Sequence, residues 1–263
     1  MTAEDEVKAC CAAAYSSDVV ALLLGDSYHP GGTALTRHLA DALALSADDR
    51  VLDVASGRGT TALLLADACG VRVDGVDFSS ANTALAQGTA QATGLAHRAV
   101  FVTGDAEQLP YPDGVFDAVI CECALCTFPD KAQAAAEFAR VLRPGGRLGI
   151  TDVTAAPDRL PSDLTGLAAR IACVADARTL TEYASILTAA GLRPLAIERH
   201  DHAMARMIDQ IEARLNLLRI TAPAKLADAG VDLDTALAVL GTARTAVADG
   251  VLGYGLLIAG KSP

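Results

Sequence analysis

Residues 51–61 read Val-Leu-Asp-Val-Ala-Ser-Gly-Arg-Gly-Thr-Thr, and this stretch decides the fold. A short apolar strand runs into a turn framed by Gly57 and Gly59, and Thr60 opens a helix that reaches Ala68. Glycine has no Cβ, so such a turn lets a ligand lie close to backbone N–H groups at the head of the helix. Strand, glycine turn and helix in that order make a cradle for a nucleotide-like cofactor on a doubly wound sheet. The turn alone does not say which cofactor.

Working outward, strand and helix patterns alternate. Strands are expected at 50–54, 72–77, 99–103, 116–123 and 147–153, with helices at 60–68, 81–93 and 131–142 between them. Short apolar strands separated by helices specify a parallel sheet with right-handed crossovers, an α/β architecture. Upstream, 3–24 reads as one or two amphipathic helices ending at Gly25, followed by a Pro- and Gly-containing loop at 26–32 and a helix from Thr33 to Leu45. Downstream, helices are expected at 164–175 and 180–190, a strand at 192–202, mainly helix over 203–248 and a last strand over 250–261. The chain therefore divides into an N-terminal helical clasp (1–45), a cofactor-binding core (46–202), a helical cap (203–248) and a final core strand (249–263).

Composition narrows the function. The 263 residues carry a net charge of −11, with a pI near 4.8, so nothing is available to neutralise the phosphates of a nucleic-acid partner. The N-terminus, Met1-Thr2-Ala3-Glu4-Asp5-Glu6, is acidic and unlike a secretory signal. No apolar run approaches the roughly 18–20 residues that span a bilayer, so a soluble, cytoplasmic chain without membrane partners is expected. Seven cysteines, an odd number, fit reduced thiols rather than a disulfide framework.

Asp77 ends the second strand, 20 residues after Gly57, where a carboxylate accepts hydrogen bonds from the ribose hydroxyls of a bound adenosine. Gly104-Asp105-Ala106 follows the third strand, Phe116-Asp117-Ala118-Val119-Ile120 forms the fourth, and Leu142-Arg143-Pro144-Gly145-Gly146 turns into the fifth. In this order and spacing, these elements resemble the class I S-adenosylmethionine (SAM) methyltransferases, in particular the group with the menaquinone, sterol and arsenite enzymes. The resemblance is strong over about 48–155 and weak in the flanks. It implies a seven-stranded sheet whose final strand is antiparallel beside the fifth and sixth, a helical lid, SAM as cofactor and a small acceptor. It also implies roles by position. Asp53, Ser56, Gly57, Arg58 and Gly59 line the methionine end, and Asp77 holds the ribose. Phe78 packs on adenine, and Asp105 and Ala106 meet its edge. The backbone at Cys121 approaches the methionine amino group, and Tyr15 with the Pro30-Gly31-Gly32 loop closes over the cofactor. The Pro-Gly-Gly turn and Asp105 argue against the nicotinamide cofactors that share the glycine turn.

The acceptor must be read elsewhere. Cys10 and Cys11 lie one helical turn before Tyr15, and Cys173 precedes the helix containing Glu182-Tyr183. Arsenite methyltransferases resemble the chain at both points. Trivalent arsenic is soft and takes thiolate ligands, and Lys8, Arg178 or a helix N-terminus would favour thiolates. Cys10, Cys11 and Cys173 are therefore a candidate metalloid set, with a thiol reductant as partner. Two cysteines usual in that group have no counterpart here: none lies in 25–30 and none follows 173. A small organic acceptor methylated at oxygen, nitrogen or carbon is the alternative, and a metalloid-binding protein without turnover is a second. Glu122 and His29 are candidate acceptor-positioning or general-base residues.

Three further patterns have plainer readings. Cys121, Cys123 and Cys126 form C-x-C-x-x-C, but no second pair accompanies them, so core packing is expected, with 121 and 123 on one strand face. Cys69, at a helix end, reads as packing. Glu198, His200 and His202 alternate on the expected strand, sharing a face in the pattern of a two-histidine, one-carboxylate metal site.

Overall fold

The computed structural model describes residue 8 and residues 18–25, 28–165, 174–228 and 230–263. A helix α1 (Asp18–Leu24) ends at Gly25, and α2 (Gly32–Leu43) follows. The core then runs β1 (Arg50–Val54), α3 (Thr60–Ala68), β2 (Arg72–Asp77), α4 (Ser80–Ala92), β3 (Ala99–Thr103), β4 (Phe116–Glu122), α5 (Lys131–Val141) and β5 (Leu142–Ala155). Beyond it come α6 (Leu180–Ala189), β6 (Leu192–Arg199), α7 (Asp201–Thr221), α8 (Pro223–Asp228), α9 (Leu233–Ala248) and β7 (Leu252–Lys261). The helix expected at 164–175 falls mainly outside the described residues.

One seven-stranded sheet has the order β3-β2-β1-β4-β5-β7-β6. β1 pairs in parallel with β2 and β4, with Val51 opposite both Val73 and Ala118. β7 runs antiparallel between β5 and β6, setting Ala259 opposite Leu148 and Leu257 opposite Ile197. This is the arrangement the family resemblance implies.

Side chains alternate across the strands, so each strand feeds two cores. Val51, Ala118, Ile120 and Ile258 pack with Leu39 and Leu43 of α2, Leu65 of α3, Ala86 of α4, Met204 of α7 and Ala243 of α9. On the opposite face Leu52, Val119, Leu148 and Leu257 pack with Phe138 of α5 and with Tyr183 and Leu187 of α6. The 203–248 segment thus contributes core residues as well as covering the sheet. Gly149 of β5 seats α2 closely: a Cβ there would lie 2.7 Å from Leu39 Cδ1. Thr179 and Glu182 form a reciprocal capping box at the head of α6, satisfying N–H groups that the helix itself leaves unpaired.

The sheet departs from expectation at two strand ends. β4 stops at Glu122, because Cys123 takes a left-handed backbone (φ 53°) and turns the chain out of the sheet. β6 stops at Arg199: His200 still donates its N–H to Tyr254 O, but the Asp201 carboxylate takes the Tyr254 N–H, and His200 becomes the N-cap of α7.

Candidate active site

The helices after β1 and β4 leave on opposite faces of the sheet, and that divergence opens a crevice at the C-terminal strand ends. A cleft occupies it, reaching Asp53 and Ser56–Arg58 after β1, Asp77 and Phe78 after β2, Asp105 after β3 and Glu122–Ala124 after β4. Tyr28 and His29 border it from the loop before α2.

The glycine turn is held from below by Asp77. Its Oδ2 accepts the Gly57 N–H at 2.8 Å, and its Oδ1 accepts from the Ser79 N–H at 2.8 Å and the Asn82 side-chain amide at 3.2 Å. Burial raises the Asp77 pKa, opposed by these backbone and side-chain hydrogen bonds. Gly57 has φ 54°, and a Cβ there would meet no protein atom within 4 Å. Its glycine character therefore serves the backbone turn and ligand approach rather than packing. Gly59 differs: at φ 83°, a Cβ would lie 2.8 Å from Phe101 Cζ. It caps α3 with no side-chain hydrogen bond. Ala55 (φ 56°) and Cys123 (φ 53°) add left-handed backbone at the ends of the adjacent strands β1 and β4, and both border the cleft. Backbone strain of this kind concentrates at functional sites.

Asp53 is 2% exposed, and its buried Oδ2 has no hydrogen-bond partner. Burial first, then the charges of Glu122 and Asp77, push its carboxyl well above the ordinary carboxylate range. Ser56 Oγ is likewise buried without a partner. Buried polar atoms in this condition call for a ligand. Three carboxylates converging on one wall call for a cationic one, as a sulfonium with an α-amino group would be.

Glu122 is held by three hydroxyl groups. Its Oε2 accepts hydrogen bonds from Thr61 at 2.7 Å and Thr36 at 3.0 Å, and its Oε1 accepts one from Thr151 at 3.2 Å. Thr151 in turn accepts from the Tyr254 hydroxyl at 3.0 Å. His29 Nε2 lies 3.6 Å from Glu122 Oε2, with both side chains at least nine-tenths covered. Its Nδ1 faces Pro30 O at 3.3 Å. Sequence reading picked out His29 and Glu122 but missed Thr36, Thr61, Thr151 and Tyr254. The available signal was a threonine, Thr36, within the apolar stripe Leu35-Leu39-Leu43 of α2.

On the far side, Asp105 Oδ2 and Glu107 Oε2 accept from Lys8 Nζ at 2.8 and 2.5 Å. The ammonium expected to act on nearby thiols is committed to these carboxylates. Ala106 borders the cleft beside Asp105, Phe78 borders it with 40% exposure, and the Arg58 guanidinium lies 6.0 Å from the Tyr28 ring.

Several expectations need correction. Cys121 itself packs in the core as expected: β4 stays regular through it, its thiol is buried in the cluster that holds Phe138, and the cleft lining begins one residue later at Glu122. Cys121 and Cys123 do not share a face, because Cys123 lies past the strand end in a left-handed turn and packs against the other core. Cys126 is buried in that second core, so the three thiols do not converge; Cys69 is half-buried packing, as expected. Glu198, His200 and His202 do not share a strand face, since β6 ends before His200. Tyr15, Cys10, Cys11 and Cys173 lie outside the described residues.

A carboxylate-lined crevice at the switch point of a doubly wound sheet, with a glycine turn on one side, defines a nucleoside-cofactor enzyme. Comparison with known proteins gives the particular family. Residues 52–150 match the methyltransferase domain family. The chain is 35% identical over 198 residues to the 27-O-demethylrifamycin SV methyltransferase of Amycolatopsis mediterranei, covering 69% of this chain and 72% of that one. It is 41% identical over 122 residues to the demethylmenaquinone methyltransferase of Thermus thermophilus, covering 46% of this chain and 54% of that one. Among solved structures, the [4+2]-cyclase SpnF superposes with a TM-score of 0.69 at 30% identity, covering 87% of this chain and 80% of that chain. The chain belongs to the class I SAM-dependent methyltransferases, and SAM is its cofactor.

The residues present fit that cofactor. Asp53 Oδ2 and Ser56 Oγ are buried without partners, Gly57 leaves its approach clear, and Asp77 and Asp105 border the same cleft. Bound SAM supplies an electrophilic methyl group on a positively charged sulfur. Among the described residues, no helix is long and apolar enough to cross a membrane.

Proposed function

We propose that the chain methylates a hydroxyl group of a small organic acceptor, with His29 as proton acceptor and Glu122 as the residue that positions it. The pairing of His29 with Glu122, 3.6 Å apart at the cleft wall, carries this reading. With Nδ1–H donating to Pro30 O, Nε2 lies 3.3 Å from the Thr36 hydroxyl; exchanging that contact for the incoming acceptor, it takes the hydroxyl proton as the acceptor oxygen bonds to the methyl carbon. The methyl–sulfur bond pair stays on sulfur. The imidazolium so formed has Glu122 Oε2 as its counter-charge. Meanwhile Thr36, Thr61 and Thr151 hold Glu122 still, which is the second support such a base requires. The protein's other task is alignment of donor and acceptor with water excluded, worth several kcal/mol. The 27-O-demethylrifamycin enzyme, by its name, serves an oxygen acceptor, which agrees with this chemistry. Cys123 is a sulfur atom bordering the cleft, whereas the thiol set for an arsenical rests on residues outside the described ones.

Transfer of label from methyl-labelled SAM to a panel of phenols, enols and alcohols, with arsenite as a separate arm, tests the proposal. His29→Ala should lower kcat by about a hundredfold or more with SAM affinity unchanged. Glu122→Gln should lower kcat more than it changes KM. Label transfer that is indifferent to His29, or confined to the arsenite arm, overturns it.

A further inference from the structure

The histidine-carboxylate pattern at the end of β6 finds a different third member. His38, in the middle of α2, places Nε2 2.7 Å from Glu198 Oε2, and His200 places its own Nε2 3.0 Å from the same oxygen. The three ligand atoms lie within 4.8 Å of one another. His202 is not in the set; its ring centroid is 5.9 Å from that of His200.

We propose that His38, Glu198 and His200 bind one divalent transition-metal ion, zinc being the natural probe, and that the ion fastens α2 to the β6–α7 corner. Two imidazole nitrogens and a carboxylate oxygen are the ligand types that zinc and its neighbours favour. Bonds of about 2.0–2.2 Å in tetrahedral geometry set ligand atoms about 3.3 Å apart. The present 2.7 and 3.0 Å separations would spread by about 0.3–0.6 Å, and the two imidazole nitrogens, within 4.8 Å of one another, would settle to the same spacing, with the ion replacing shared protons. All three residues sit on well-held backbone: His38 within α2, Glu198 in β6, and His200 with its N–H on Tyr254 O at 2.7 Å. Side-chain exposures of 48, 37 and 16% for His38, Glu198 and His200 leave an entry path and room for water at the remaining positions. A chain of net charge −11 favours the added positive charge.

The linkage matters because α2 also builds the cleft. Thr36, two residues before His38, donates to Glu122. An ion at His38 therefore restrains the helix that supports the proposed proton acceptor, without touching cofactor or acceptor.

Titration calorimetry with zinc chloride, cobalt(II) absorption spectra and thermal melts would test the site in the full chain and in His38→Ala, Glu198→Ala and His200→Asn. The exposure of His38 and Glu198 makes folding of those variants secure, and retained SAM binding checks it. The wild type should bind one equivalent more zinc than His38→Ala, with affinity at that equivalent falling at least about tenfold in each variant. Zinc at a hundredfold excess over its dissociation constant should raise the wild-type melting temperature by about 5 °C. Cobalt should show a nitrogen–oxygen environment without sulfur-to-metal charge transfer. Zinc binding equal in wild type and all three variants, its absence from the wild type, or a cobalt spectrum dominated by sulfur would each overturn the proposal.

Discussion

Replacing Asp53 by Asn should stabilise the cofactor-free chain and weaken SAM. Asp53 is 2% exposed with a partnerless Oδ2, and burial, Glu122 and Asp77 all disfavour its charge. Its folded pKa is raised above the unfolded value, so its contribution to stability is fullest below the unfolded value and is lost as pH rises through the folded one. Asn does not titrate, so the variant's advantage should grow across that window and level off above it. Removing one buried, uncompensated charge is worth about 1–3 kcal/mol. At roughly 2–4 °C per kcal/mol, that raises the melting temperature by about 2–12 °C. A bound cation uses the same carboxylate. Losing a charge-assisted hydrogen bond of about 1.5–3 kcal/mol should weaken SAM by roughly 10- to 150-fold, and the penalty should shrink as pH falls and wild-type Asp53 takes up its proton. Melts of the cofactor-free proteins from about pH 5 to about pH 8, with calorimetric titration of SAM, read both effects. A variant that melts lower and binds SAM as tightly as wild type would refute the reasoning.

Gly59→Ala forces a Cβ to 2.8 Å from Phe101 Cζ at φ 83°. Left-handed strain and overpacking together should cost about 2–5 kcal/mol in urea denaturation; a loss under about 0.5 kcal/mol would mean the turn relaxes freely. Arg140 donates to Glu137 and also to Leu109 O and Tyr111 O, and the Arg140 hydrogen bond lowers the Glu137 pKa. That stability is present above the ordinary glutamate value and lost as pH falls through the depressed one, so Arg140→Ala should flatten the acid limb of the stability profile. Lys8→Met removes the ion pairs to Asp105 and Glu107; SAM should weaken by no more than about fivefold, with the difference from wild type closing near 1 M salt.

The core from β1 to β4 was legible because local signals agree there: apolar runs of strand length, glycines at the turn, and carboxylates where strands end. Asp77 announced itself by its distance from Gly57, and the structure shows it holding that glycine's N–H. Glu122 was visible as an acid after a strand, but its setting was not. Its hydroxyl donors Thr36, Thr61 and Thr151 come from three elements and lie 86, 61 and 29 residues away. The end of β6 was misread because Glu198-Arg199-His200-Asp201-His202 keeps a strand-like alternation. Tertiary contacts decide the matter instead: Asp201 accepts the Tyr254 N–H, and His200 donates to Tyr254 O. His38 could not be joined to Glu198 from sequence, since 160 residues separate them. The left-handed turn at Cys123 had no glycine to mark it.

The position of β7 bears on how the molecule is made. Leu252–Lys261 fills the gap between β5 and β6, so a nascent chain still short of residue 252 carries two open sheet edges while five strands can already pair. The growing polypeptide must keep those edges from foreign partners until β7 emerges. Shortening β7 would leave the β5 and β6 edges unpaired and should promote aggregation.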